Sequence, residues 1–68
     1  MIAYRLLSGP DDSSFCHKVS EALANGWSLY GNPVYAFDAA NGTMRCAQSV
    51  TKSVPDKDYH HDMKLGSL

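Results

Sequence analysis

Only one stretch of this chain, Ser13 to Asn25, carries a helical pattern; its other apolar segments read as strands. Phe15, Cys16, Val19, Ala22 and Leu23 fall at i, i+1, i+4, i+7 and i+8, one stripe of an amphipathic helix, with Ser14, His17, Lys18 and Glu21 off it. The breaker cluster Ser8-Gly9-Pro10-Asp11-Asp12 prepares its start. Asp11, Asp12 or Ser13 can cap the first turn by accepting from a free backbone N–H. Asn25-Gly26 supplies the stop, with Gly26 suited to the left-handed position after the last turn. One helix covers one face of one sheet, so any sheet in this chain keeps a second face without internal cover.

The strands flank this helix. Ile2 to Leu7 mixes β-branched, aromatic and aliphatic residues and reads as the first. Arg5 marks the Ala3-Arg5-Leu7 face as solvated, which makes Ile2, Tyr4 and Leu6 the expected core positions. Trp27 to Phe37 is aromatic and β-rich, but Gly31-Asn32-Pro33 interrupts it, so two pieces are expected, Trp27–Tyr30 and Val34–Phe37, bent at Pro33. Asp38-Ala39-Ala40-Asn41-Gly42 reads as a hairpin connection. Without a secretion signal, Asn41-Gly42-Thr43 is read as a turn and not as a glycan acceptor. Thr43 to Thr51 alternates Met44, Cys46, Gln48 and Val50 against Arg45, Ala47, Ser49 and Thr51, and the first set is expected to face the helix.

The implied fold is α+β, of order β-α-β-β. It is a three-stranded antiparallel sheet with the third strand in the middle and the helix on one face. Residues 1–52 make the compact domain, and the polar stretch 53–68 is expected to be a mobile tail or an arm ordered by a partner. A chain of 68 residues buries only roughly 60% of its unfolded surface, so its core is thin. Tyr35, Phe37 and Trp27 are expected on the uncovered face, where such a patch marks an interface. Homo-oligomerisation, with a dimer favoured, would complete the core, and another protein is a further candidate partner.

The formal net charge of −1 and the scattered basic residues argue against a nucleic-acid partner. No signal peptide and no apolar run of membrane length is present, so a cytosolic protein with reduced Cys16 and Cys46 is expected, with no membrane contact. Cys16 and His17 are adjacent, but successive helical side chains do not face each other. Both cysteines are expected in the core as small hydrophobes. His60-His61-Asp62 lacks the ligand set and spacing of a metal centre, so no metal or other cofactor is expected.

Two places carry a rival, ligand-binding reading. Ser8, Gly9, Ser13 and Ser14 border a helix N-terminus that can hold an anion, although Asp11 and Asp12 would repel phosphate. Trp27 and Tyr35 could stack a flat ring, although a small chain needs such area for its core. Together they would make an oligomeric binder of a small anionic or aromatic ligand such as a nucleotide. No Ser/His/Asp set or paired carboxylates share an ordered position, so no enzymatic activity is expected.

Tyr4-Arg5-Leu6-Leu7-Ser8-Gly9-Pro10-Asp11-Asp12, then Phe15-Cys16-His17-Lys18-Val19 and Leu23, then Asn25-Gly26-Trp27-Ser28-Leu29-Tyr30-Gly31, resemble domain of unknown function 1737. Gln48-Ser49-Val50 is similar to that family's closing Gln-Ala-Val segment, with serine in place of alanine. The resemblance covers about residues 2–52. It implies a small bacterial or phage-encoded domain without assigned activity, and it brings no catalytic residues.

Overall fold

The computed structural model describes all residues, 1–68. Strand β1 spans Ile2–Pro10, helix α1 Ser13–Ala24, strand β2 Ser28–Asp38 and strand β3 Thr43–Ser53. A short 3-10 turn, Leu65–Ser67, lies near the C-terminus. The sheet order is β1-β3-β2, both pairings antiparallel, as the strand pattern implied. The strands run longer than expected. Ser8-Gly9-Pro10 still pairs with Ala47-Cys46-Arg45, because β1 is an edge strand and Pro10 ends it, where a missing N–H breaks no ladder.

Asp12 is the helix cap, accepting from the Ser14 N–H at 2.9 Å. Gly26, at φ +93°, turns the chain out of the helix as its sequence position suggested. The helix lies mainly over β1. Gly9 lies directly beneath Phe15: a Cβ there would meet Phe15 Cδ1 at 3.4 Å, in van der Waals contact. Ala3, Leu7, Ala22, Trp27 and Val50 form the buried cluster, with Val19, Met1, Leu65 and Leu68 packed against it.

This reverses the expected face of β1. Ala3, Leu7 and Gly9 face the helix, while Ile2, Tyr4 and Leu6 lie exposed on the opposite side. Ala3, Leu7 and Gly9 are buried on the helix side, and Arg5 fits among them with its guanidinium carbon over the Trp27 ring, 5.2 Å from the centroid. On β3, Cys46, Gln48 and Val50 of the expected set face inward and are buried, whereas Met44, beyond the reach of the helix at the hairpin end, is exposed. Cys16 does not face inward: it is exposed, and Leu23 is largely so. The sheet takes Phe15, Val19 and Ala22. The Cys16–Ser20 side of the helix borders a groove of about 260 Å³ toward Leu29.

Strand β2 is one strand with an irregularity between Tyr30 and Val34, where Gly31-Asn32-Pro33 stands opposite the single residue Gln48. Gly31 takes φ +72° there. The buried Gln48 amide donates to the carbonyls of Tyr30 (3.3 Å), Gly31 (3.2 Å) and Ser49 (2.9 Å), supplying donors that the broken ladder cannot. Gln48→Leu is therefore expected to lower the unfolding free energy by about 1–3 kcal/mol, read from urea transitions. An unchanged midpoint would remove Gln48 from this role.

Residues 54–68 return to the sheet. The Met1 nitrogen donates to the carbonyls of Val54 (2.9 Å) and Lys57 (3.0 Å). Lys52 Nζ joins the Asn25 carbonyl (2.8 Å) to that of Leu68.

Candidate functional site

The residues singled out from sequence fall into two groups at opposite ends of the sheet. Gly9, Cys46 and Tyr35 share one row across the three strands, whereas Trp27 sits beside the row of Ala3 and Lys52. Six residues of strand separate these rows, about 20 Å. Trp27 and Tyr35 therefore cannot stack one ligand.

At the first end, the helix start is already occupied. Ser14 directs both its N–H and its hydroxyl to Asp12. Those bonds, the hydroxyl's first, hold the Asp12 carboxyl below its usual range. Ser13 is exposed, the Ser8 carbonyl accepts from Lys18 Nζ at 2.8 Å, and Gly9 is buried under Phe15. The carboxylate of this chain, and not a bound anion, fills the positive end of the helix.

Asp11 gathers the neighbouring groups. The Tyr35 hydroxyl donates to its Oδ1 at 3.2 Å, and the Cys46 thiol lies 3.7 Å from the same oxygen. The Asp11 charge pushes the Tyr35 phenol above its ordinary value. Burial first, and then Asp11, pushes up the Cys46 thiol. At the hairpin, the Asn41 side chain donates to Asp38 and depresses its carboxyl.

These directions fix a pH profile. Asp12 and Asp38 are depressed in the folded chain, so their contribution is present above about pH 4 and is lost as pH falls through their folded values. Tyr35 and Cys46 are raised, so theirs is present below their unfolded values and is lost as pH rises through the folded ones. Thermal melts should peak at neutral pH and fall on both sides. Asp12→Asn should flatten the acid limb, and an unaltered acid limb would contradict the assignment.

The aromatic trio expected at an interface is also divided. Trp27 is 4% exposed and belongs to the core. Tyr35 and Phe37, 65% and 64% exposed, pair with Cys46 and Met44 and so lie on the helix side, beside the part of β2 that α1 leaves bare. The uncovered face carries other residues. Directly opposed residues share a face, which places Ile2, Tyr4 and Leu6 of β1 across Ala47, Ser49 and Thr51 from Tyr30 and Val34 of β2. Two apolar ridges thus border a trough of small side chains, with Tyr4 Oη 3.0 Å from Ser49 Oγ. Arg45 and Asp38 are the charged residues on this face, both at its hairpin end. Strand alternation separates these two sets of residues but not which set turns inward, and so this face was missed.

No three His, Cys, Asp or Glu side chains converge as a metal site would require. No helix is long and apolar enough to cross a membrane. The fold and its bare sheet face define a small α+β domain of one helix on a three-stranded antiparallel sheet. The chain belongs to the family described as domain of unknown function (DUF1737), whose family model matches residues 1–53. No curated protein and no solved structure matches it.

Proposed function

We propose that this chain is a self-associating interaction module of the cytosol, without catalytic activity, whose bare sheet face packs against the same face of a second copy. One observation carries the reading. A compact monomer of 7.4 kDa should expose about 4,200 Å², whereas this chain exposes 4912 Å². The bare face contributes to this surplus of about 700 Å²: Ile2, Tyr4, Leu6, Tyr30 and Val34 are each more than half exposed there. The radius of gyration points the same way, 13.5 Å against about 11 Å for a compact chain of this length.

The face itself suits a two-fold contact. An isologous interface must be self-complementary. Here the ridge of Ile2, Tyr4 and Leu6 from one copy would enter the trough over Ala47 and Ser49 of the other. Two sheets so packed would enclose a core about 10 Å thick between outer helices. The charges of Arg45 and Asp38 would remain at the rim. Completing the core in this way supplies the apolar burial that eight buried residues cannot.

Sedimentation equilibrium tests the reading. A mass of twice 7.4 kDa is expected at about 50 µM chain, falling on dilution. A single-chain mass throughout that range would overturn it.

A further inference from the structure

We propose that the recess over Trp27 is a binding site for a carboxylate group, gripped by the Arg5 guanidinium. Arg5 stands between Ala3 and Leu7 on the face of β1 that otherwise builds the core. A half-buried charge in such a row is costly unless it finds a counter-charge and hydrogen bonds. This chain provides no counter-charge within 4.0 Å of the guanidinium and no protein acceptor for its N–H groups, which open to solvent at the recess. The last turns of α1 offer the negative end of a helix dipole, but the Glu21 and Ala22 carbonyls already receive the Asn25 N–H and the Asn25 carbonyl receives Lys52.

The surroundings form a receptacle. Arg5, Lys18, Glu21, Asn25 and Trp27 line a recess of about 150 Å³, closed on one side by Gly66. The guanidinium carbon stands over the Trp27 ring, 5.2 Å from its centroid, which places the donor fork at the recess. A fork of parallel N–H groups matches the two oxygens of a carboxylate. Lys18 Nζ is turned to the Ser8 carbonyl, so Arg5 is the cation left for a ligand, and Glu21 on the same wall disfavours a phosphate dianion. The recess lies on the helix side, opposite the face proposed for self-association, so the two proposals stand or fall separately.

Trp27 is the only tryptophan, so its emission reports on the recess. Titrations at constant ionic strength would use acetate, N-acetylglycine and inorganic phosphate. A saturable change is expected with the carboxylates, with phosphate weaker. Arg5→Lys keeps the charge but loses the fork, and should weaken the response about tenfold; Arg5→Gln should abolish it. Tighter binding of N-acetylglycine than of acetate would assign the site to a peptide C-terminus, and the reverse order to a small free acid; either supports the proposal. No saturable change up to about 100 mM, phosphate binding as tightly as the carboxylates, or an undiminished response in Arg5→Lys would overturn it. Arg5→Lys decides the matter if Arg5→Gln fails to fold, with its amide NMR spectrum confirming the native fold.

Discussion

Trp27→Ala is expected to leave most of the chain unfolded at 25 °C. Trp27 is the largest member of the five-residue buried cluster and joins helix, β1 and β3 around Val50, which is 0% exposed. Truncating a buried tryptophan costs about 3–5 kcal/mol, and losing the Arg5 stack adds about 0.5–2 kcal/mol. A chain this short has only roughly 3–10 kcal/mol in total. Urea unfolding followed by circular dichroism, at a fixed chain concentration, should show little native baseline for Trp27→Ala. Trp27→Phe should fall between it and the parent. A cooperative transition within about 1 kcal/mol of the parent would show that the core is centred elsewhere.

The second large effect concerns assembly. Leu6 and Val34 are more than half exposed in a single chain, so charging them should disturb the isolated domain little. Leu6→Lys and Val34→Glu would place unpaired charges in the middle of the proposed contact. Each is expected to weaken self-association about 100-fold or more, seen as a shift from double to single mass. Tyr35→Glu and Phe37→Glu, on the helix side, should leave the mass unchanged. The opposite pattern would move the interface to the bare edge of β2.

Much of the architecture is legible in the chain. Asp12 and Gly26 bracket the helix because capping and left-handed turns have local chemistry. The inward set of β3 follows from the apolar Met44, Cys46 and Val50 alternating with the polar Arg45, Ser49 and Thr51, and the hairpin at Asp38 makes β3 the neighbour of β2. What failed did so where alternation and polarity conflict. Arg5 reads as a solvent marker, yet its guanidinium can stand over an indole while Ala3 and Leu7 on the same face enter the core. That arrangement turned Ile2, Tyr4 and Leu6 outward.

The same limit applies to the candidate sites. Sequence neighbours suggested an anion site at Ser8–Ser14, but Asp12 takes the donors. Tyr35 and Trp27 are eight residues apart in sequence yet near opposite ends of the sheet, because β2 is a continuous strand and not two folded pieces. Gln48 looked like one polar residue in an inward row. Its purpose depends on the carbonyls freed at Gly31, which only the register between β2 and β3 reveals.

Contacts between copies test the face-to-face pairing most directly. In a sample mixing carbon-13-labelled with unlabelled chain, isotope-filtered NOEs report only those contacts. Cross-peaks from the Leu6 and Val34 methyl groups to Tyr4 and Tyr30 rings of another copy are expected. Cross-peaks confined to Leu29, Tyr35 and Phe37, or none in the concentration range of the sedimentation experiment, would contradict the pairing.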